Sequence, residues 1–302
     1  MQLHSRLLPF TGSLPGLSER LLTSHHQNNY GGAVKRLNAI RAELSQRPSE
    51  SLPAFVLNGL KREELIATNS MLLHELHFAC LGGDGEQMPP AMELGLAASF
   101  GSVEACRSEF VAMGKALAGG SGWVLLCFEP RTGSLVNQWA SDHSQSIAGG
   151  VPVLALDMYE HAYHMDFGAQ AGAWVEAFMR NIDWAAVHGR YQMAVSGATV
   201  HLAAERESLG DVLLLDVRRR GVYEAARDTI ASAQWRDPAH VDEWAGELDA
   251  QREVVVFCVH GHEVSRRTAL RLQAHGLRAR FLSGGIDGWK AAGLAMEPKG
   301  GT

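Results

Sequence analysis

The sequence predicts two domains. The first is an α+β domain, in which an N-terminal helical hairpin precedes helices around a small antiparallel sheet, and the second is an α/β domain with a parallel sheet. Two long helical patterns, 19–47 and 61–81, come first, and apolar strand patterns ending at Asp157 follow them. Beyond residue 200 strands alternate with helices, which is the order that produces a parallel sheet.

Length and composition agree with two globular domains. The chain has 302 residues, of which 46% are hydrophobic and 20% charged, so it can bury two cores. We expect the hairpin part of the first domain at 1–86 and its α/β part at 87–193. A linker at 194–199 would join it to the second domain at 200–302.

Charge and cysteine usage narrow the function classes. The formal net charge is −6 and there is no basic tract, which argues against a nucleic-acid partner. No apolar stretch approaches the roughly 20 residues of a membrane span, and we see no secretory signal pattern. The four cysteines are scattered, which favours a reducing cytoplasm over a disulfide framework. They are Cys80, Cys106, Cys127 and Cys258.

Local signals set the elements of the first domain. Ser18 is suited to cap the first helix, and Pro48 ends it. Gly31 and Gly32 lie inside this helix at a cost of about 1 kcal/mol each, which indicates a kink or close packing. Gly82 and the glycines after it end the second helix. The remaining predictions are helices at 91–99, 103–118, 169–181 and 183–193 and strands at 123–128, 135–139 and 151–156.

The second domain shows the alternation of a parallel sheet. About a hundred residues is enough for an independent compact domain. Its predicted elements are a strand at 211–217, a helix at 241–250, a strand at 253–257, a helix at 265–275, a strand at 280–282 and a helix from Asp287.

A candidate metal site combines side chains from four places in the first domain. Asp157 ends a buried strand, and His161 lies one turn further on if the next residues are helical, so both can face one ion. His25 on the first helix and His74 on the second complete a set of three imidazoles and one carboxylate. Such ligands suit iron or manganese better than a metal that prefers thiolate, although zinc also accepts them. Taken singly, each could instead be a core or rim histidine or a helix start.

Five stretches of the first domain form a recognisable set: 24–30, 34–38, 97–102, 120–123 and 157–163. Together they make residues 1–193 resemble the iron/manganese superoxide dismutase family. The resemblance implies that His25, His74, Asp157 and His161 bind one iron or manganese ion, with superoxide as substrate. In that family the metal alternates between two oxidation states and a Glu-His pair bridges two subunits. A homodimer is therefore implied, with Glu160 and Tyr163 at its interface.

The differences from the family lie around the ligands. Counting from His25, Ala33 stands where the family has a gateway tyrosine, and Asn29 where it has a histidine. The glutamine that bonds the metal-bound solvent aligns with Ser70 or His143. His143 is our candidate catalytic residue, because some members carry histidine there.

Further side chains should surround the ligands and tune the metal. Loss of the tyrosine removes a proton donor and widens access. Tyr30 and His77 are candidates to replace it, although Tyr30 could equally pack or hydrogen-bond within the hairpin. The surrounding residues are predicted to be His77, Phe78, Trp123, Tyr159 and Tyr30.

Cys258 is the candidate nucleophile of the second domain. It lies between an apolar strand and a helix, where converging N–H groups and the helix dipole stabilise a thiolate or persulfide. Buried cysteines are commonly inert, but the glycine-containing loop favours a reactive role here. The loop residues expected to cradle an anion are Val259, His260, Gly261, His262, Glu263 and Val264.

Three motifs, at 215–218, 258–265 and 282–289, make residues 200–298 resemble a single rhodanese domain. The resemblance implies transfer of sulfane sulfur through a Cys258 persulfide. It also implies that Asp216 and Arg218 support the loop, although Asp216 could simply cap a turn. The loop carries no arginine, and we expect Glu263 to repel dianions such as thiosulfate, so neutral or low-charge donors are favoured.

Three functional hypotheses follow. The first is a superoxide dismutase fused to a sulfurtransferase, acting on superoxide and on a sulfane-sulfur donor. In the second, the same metal site oxidises a reduced sulfur species or acts as a peroxidase. In the third, the rhodanese-like half is a non-catalytic binding or redox-sensing module.

Overall fold

The computed structural model describes residues 2–299, and these begin with the helical hairpin. The first helix has three segments: α1 (Glu19–Ser24), a π-helical turn (His25–Tyr30) and α2 (Gly31–Gln46). Ser18 caps it by accepting the N–H of Leu21. The irregularity predicted at the glycine pair is thus a π-turn that ends where the pair begins. The second helix, α3 (Ala54–Ala79), packs against α2 and starts earlier than predicted, directly after Pro53.

A three-stranded antiparallel sheet and its helices complete the first domain. The sheet has the order β2-β1-β3, and its register pairs Trp123 with both Ala140 and Asp157. Asp157 therefore ends the sheet beside Trp123. None of the helices within residues 2–299 has the length and apolar character needed to cross a membrane. The elements are α4 (Pro90–Phe100), α5 (Val103–Ala116), β1 (Trp123–Glu129), β2 (Ser134–Ala140), β3 (Val151–Asp157), α6 (His164–Phe167), α7 (Ala171–Met179) and α8 (Trp184–Thr199).

The segment after Asp157 differs from the predicted helix. Met158 and Tyr159 are not helical, and a single 3-10 turn, Glu160–Ala162, carries His161. The N–H of Tyr159 donates to the Oδ1 atom of Asp157 at 2.9 Å, which closes a local turn. This turn, and not an α-helix, brings His161 back toward the carboxylate.

The second domain contains a five-stranded parallel sheet with the order β4-β9-β8-β5-β7 and a separate two-stranded ladder, β10-β6. β7 pairs with β5 on one side, and β8, which follows later in the chain, pairs with β5 on the other side. The loops that follow β5 and β8 consequently meet at a switch point of the sheet, where ligands commonly bind. The elements are β4 (Ala203–Ala204), β5 (Leu213–Asp216), α9 (Arg220–Ala225), β6 (Asp228–Ile230), β7 (Gln234–Trp235), α10 (Val241–Trp244), β8 (Val254–Phe257), α11 (Glu263–Ala274), β9 (Ala279–Leu282), α12 (Gly285–Ala291) and β10 (Met296–Pro298).

The junction between the domains is a helix. The residues expected to form a linker, 194–199, are the last turns of α8. This helix packs against α11 of the second domain. One hydrophobic cluster runs through both domains and includes Val187 and Val195 of α8 together with Leu270 of α11. The two domains are therefore joined by packed helices.

Candidate metal centre and cysteine loop

Four side chains of the first domain converge on one point. The Oδ2 atom of Asp157 lies 3.0 Å from Nε2 of His25, 3.3 Å from Nε2 of His161 and 3.5 Å from Nε2 of His74. All four candidate ligand atoms lie within 4.8 Å of one another. Three of the residues are buried, and His161 is 27% exposed. The cluster therefore has a closed inner side and an open outer side.

The spacing and orientation fit one metal ion. Bonds of about 2.0–2.2 Å place neighbouring ligand atoms roughly 3.0–3.6 Å apart, as seen around Asp157. His74 donates from Nδ1 to the carbonyl oxygen of Ser70 at 2.6 Å, which turns its Nε2 lone pair inward. The bond from Tyr159 holds the other carboxylate oxygen of Asp157 away from the centre. The four predicted ligands thus form a preformed cluster that could bind one metal ion.

His25, His74 and Asp157 are held in the protonation states that bind metals. Burial lowers the pKa of His25 and lowers that of His74 to about 3, so both imidazoles are neutral. Burial alone would raise the pKa of Asp157. The charge of His161 and the hydrogen bonds from His161 and His25 outweigh it and hold this pKa well below its ordinary range. A neutral imidazole and an ionised carboxylate are the forms that bind a cation.

A cavity of about 440 Å³ opens above the cluster, and His143 lies in its wall. Nε1 of Trp123 donates to Nδ1 of His143 at 2.9 Å. The imidazole also stacks on Tyr159 with 4.9 Å between ring centroids. Because Nδ1 accepts, the proton of neutral His143 is on Nε2. Trp123, Tyr159 and His143 therefore form one connected group beside the ligands.

The same cavity contains the two positions that differ from the family. Asn29 and Ala33 both line it, and the methyl group of Ala33 stands where the family has a tyrosine side chain. Arg36, one turn beyond Ala33, also lines it and pairs with Glu63. The cavity is accordingly wider than a tyrosine would leave it, with a guanidinium at its rim.

Tyr30 is directed into the hairpin. Its hydroxyl donates to Oε1 of Glu75 at 2.9 Å and accepts the backbone N–H of Arg6 at 2.7 Å. The side chain is 1% exposed and does not line the cavity. Of the two interpretations given for Tyr30, the geometry therefore favours packing and hydrogen bonding.

His77 and Phe78 lie on the inner side of His25. Their ring centroids are 5.2 Å and 4.9 Å from that of His25. His77 bonds through Nδ1 to the carbonyl oxygen of Ala155 at 3.1 Å, while its buried Nε2 has no partner within the described residues. Burial lowers the pKa of His77 to about 3. His77 is thus a neutral, fully buried ring behind the ligands, away from the cavity.

The predicted interface residues flank His161 on the 3-10 turn. Glu160 is exposed, whereas Tyr163 is 3% exposed within the chain. Their role between subunits stays a prediction.

In the second domain, Cys258 follows β8 at the switch point of the sheet. Its Sγ atom lies 3.2 Å from Oγ of Ser265, in the first turn of α11. Gly285, at φ 56°, presses against the loop: a Cβ atom there would lie 2.5 Å from the carbonyl oxygens of Cys258 and Val259. Only glycine permits this close approach. The contact holds the cysteine loop, which precedes α11, against the start of α12.

Asp216 and Arg218 form a buried pair beside this loop. Nε of Arg218 donates to both carboxylate oxygens of Asp216 at 2.9 Å. Thr229 donates to the same carboxylate at 2.9 Å, and Arg218 also reaches the carbonyl oxygen of Asp228 at 3.0 Å. The pair ties β5 to β6, and Asp216 also accepts the backbone N–H of Arg218 at 3.0 Å, so the carboxylate both supports the loop and closes the local turn.

A cavity of about 220 Å³ adjoins Cys258 and includes residues that the sequence did not indicate. Glu263, expected to face a substrate anion, is 5% exposed. Its carboxylate bonds His188 at 3.2 Å and Gln192 at 2.9 Å, both on α8 of the first domain. No spacing pattern signals this contact, because the partners lie about seventy residues apart. The lining residues are Ala91, Gln192, Arg218, Arg219, Val222, Cys258, Val259, His260, His262, Glu263 and Val264.

Comparisons with known proteins match the two domains separately. The family model for the C-terminal domain of iron/manganese superoxide dismutases matches residues 89–190, and that for rhodanese-like domains matches residues 199–292. An iron superoxide dismutase of Cupriavidus metallidurans is 62% identical over 182 residues, covering 60% of this chain and 92% of the relative. A manganese superoxide dismutase of Haloferax volcanii is 33% identical over 183 residues, covering 60% and 90%.

The fold and ligand set define a mononuclear metalloprotein of the helical-hairpin type with an α/β domain appended. The chain belongs to the iron/manganese superoxide dismutase family, and its second domain is rhodanese-like. Both resemblances predicted from the sequence are confirmed, as is the order of the two domains.

Proposed function

We propose that the first domain is a metal-dependent superoxide dismutase that uses iron or manganese and converts superoxide into dioxygen and hydrogen peroxide. The convergence of His25, His74, Asp157 and His161 at the floor of an open cavity carries this proposal. Relatives named as iron and manganese superoxide dismutases support it. The bound ion supplies one-electron oxidation and reduction.

The residues of the chain supply orientation, charge and protons. Two superoxide ions and two protons give one dioxygen and one peroxide. His143 holds a proton on Nε2 in the cavity wall, and Trp123 fixes the ring that carries it. Arg36 places a guanidinium at the rim, where its positive charge is partly offset by the paired carboxylate of Glu63. With Ala33 in place of a phenol, we assign the protons to solvent and to His143, whose ring stacks on Tyr159 in the same wall.

The test compares purified wild type with an Asp157→Ala variant after loading with iron or manganese. We expect about one ion per wild-type chain and superoxide consumption above that of the free metal, with both lost in Asp157→Ala. Glu176→Gln, which alters an exposed carboxylate on α7, is the control and should behave as wild type. Metal-loaded wild type with no superoxide consumption would contradict the proposal.

For the second domain we propose sulfur transfer through a Cys258 persulfide. Support comes from the loop that holds Cys258 at the switch point, against the start of α11. Mass spectrometry of the Cys258 peptide after exposure to sulfane-sulfur donors should show one added sulfur. If none is ever added, the domain is a binding or sensing module.

We further propose a homodimer located in the cytoplasm. The exposed position of Glu160 next to His161 supports a bridging role across subunits. All four cysteines are unpaired, as in a reducing compartment. Light scattering should give twice the chain mass, and Glu160→Ala should weaken the dimer; a monomeric wild type would contradict this.

A further inference from the structure

We propose that the first domain sets the charge selectivity of the Cys258 cavity, and thereby selects a small sulfane-sulfur donor that carries a carboxylate. This rests on the proposed sulfur-transfer function and deepens it. It concerns Ala91 of α4 and Gln192 of α8, which lie outside the rhodanese-like domain, together with Arg219 of that domain.

The wall of the cavity is shared between the domains. Ala91 of α4 and Gln192 of α8 line it opposite the cysteine loop. The volume of about 220 Å³ lies below the roughly 300–1,000 Å³ of sites for drug-sized ligands. Because the first domain covers this side of Cys258, the cavity suits a small molecule better than a polypeptide segment.

The first domain also masks the negative charge of the loop. His188 bonds one carboxylate oxygen of Glu263 and Gln192 bonds the other. Burial would raise the pKa of Glu263, but the hydrogen bonds, led by that from His188, lower it, so the group is ionised and satisfied. Glu263 therefore repels an incoming anion far less than its place in the loop suggested.

Positive charge in the cavity is left unpaired. Arg218 and Arg220 pair with Asp216 and Asp237, whereas Arg219 has no acidic partner within residues 2–299. Arg219 lines the cavity and is half-buried. A guanidinium in a partly closed site favours a carboxylate, which it can bind through two hydrogen bonds.

The sulfur step is balanced without a further reagent. The Cys258 thiolate attacks the terminal sulfur of a persulfide, R–S–SH. The S–S bond of the donor breaks and a new S–S bond forms on Cys258. The thiolate R–S⁻ leaves with the electron pair, and the terminal sulfur keeps its proton. In this geometry Arg219 holds the carboxylate of R.

Two donors that differ in one group test the proposal: the persulfides of 3-mercaptopropionate and of 2-mercaptoethanol. The measurement is kcat/KM for addition of sulfur to Cys258. We expect the wild type to prefer the carboxylate donor about fivefold, the effect of one partly exposed ion pair. Arg219→Gln should abolish the preference. Gln192→Ala should reduce it, because it frees one oxygen of Glu263 beside the donor.

Controls separate this proposal from the function on which it rests. Met193→Ala, on the exposed face of α8, should keep the wild-type preference, and unchanged superoxide consumption should show that each variant is folded. If wild type, Arg219→Gln and Gln192→Ala showed the same preference between the two donors, charge selection would be overturned and sulfur transfer would still stand. Wild type that gains no sulfur from either donor would overturn sulfur transfer itself.

Discussion

At the level of single residues, two of the four ligands are oriented by hydrogen bonds from outside the cluster. Ser70 turns His74 inward, and the N–H of Tyr159 turns the carboxylate of Asp157. His143 is fixed in the same way by Trp123. Partners of this kind decide which atom faces the metal, and their loss commonly costs 10–100-fold in affinity or activity, on the order of magnitude seen for other metal sites.

His143 offers the sharpest test of the proton source. His143→Ala should lower kcat for superoxide by about 10–100-fold while metal content is retained, because the residue lies outside the ligand set. His143→Gln, which keeps an N–H donor, should recover much of the loss. Stopped-flow kinetics with metal analysis checks both. Equal kcat in the alanine variant and the wild type would assign the protons to solvent.

His77 affects stability through its buried, unpartnered Nε2. His77→Phe replaces the imidazole by an apolar aromatic ring, removing both this atom and the bond from Nδ1 to Ala155, and we expect the metal-free protein to gain about 1–3 kcal/mol in free energy of unfolding. Urea unfolding at pH 7 measures the change. A large loss would show that the bond to Ala155 matters more.

The same variant should alter the pH dependence of stability. The pKa of His77 is lowered to about 3 in the folded chain, from an ordinary value of 6.5. The unfolded chain therefore binds the proton first, and the contribution of His77 is full above pH 6.5 and is lost as the pH falls toward 3. His77→Phe should make the free energy of unfolding less dependent on pH between 6.5 and 4. If the free energy of unfolding of His77→Phe depended on pH as strongly as that of the wild type, the lowered pKa of His77 would not explain the dependence.

At the level of elements, α8 connects the framework of the metal site to the second domain. Its Arg190 donates to the carbonyl oxygens of Val153 at 2.9 Å and Ala79 at 3.1 Å, and to Sγ of Cys80 at 3.1 Å. These bonds join β3, which ends at Asp157, to α3, which carries His74. Gln192 of the same helix reaches the cysteine cavity.

Arg190→Met should therefore destabilise the first domain by about 3 kcal/mol, because two buried carbonyl oxygens lose a charged donor. Thermal unfolding and metal content measure the effect. Arg180→Met, at an exposed position before α8, is the matched control and should change little. If the two variants had the same thermal stability and metal content, Arg190 would not be needed to hold the framework of the metal site.

Most elements could be predicted because their signals are local. Ser18 caps the first helix as predicted, accepting the N–H of Leu21 at 3.1 Å. The π-turn at His25–Tyr30 could not be predicted, since it depends on how α2 packs on α3. The helical ending of α8 at 194–199 was missed for the same reason: Ser196, Gly197 and Ala198 resemble a linker until α11 packs against them.

At the level of the whole molecule, the two domains share a core. The turn between β1 and β2 presses on α11, where a Cβ atom on Gly133 would lie 2.9 Å from the carbonyl oxygen of Arg267. We expect calorimetry of the metal-free wild type to show one cooperative transition. Gly133→Val, strained at φ 67° and too large for the gap, should separate it into two. Two transitions in the wild type would contradict a shared core.

Site residues that lie close together in the sequence could be paired by prediction, whereas residues far apart in the sequence could not. Asp157 and His161 could be paired from their spacing, even though the predicted helix between them is a turn. His25 and His74 needed the family resemblance, because no local pattern joins the hairpin to β3. The contacts of Glu263 with His188 and Gln192 lie across the domain junction, and they satisfy the carboxylate that was expected to face an incoming anion.

The most direct test is superoxide consumption measured against metal occupancy in the same preparations. Wild type is loaded with iron or manganese to several occupancies, and each sample is assayed for both quantities. We expect consumption to rise in proportion to occupancy, up to one ion per chain, and to be absent at every loading of Asp157→Ala. Consumption no greater than that of the free metal at full occupancy would contradict the proposed activity.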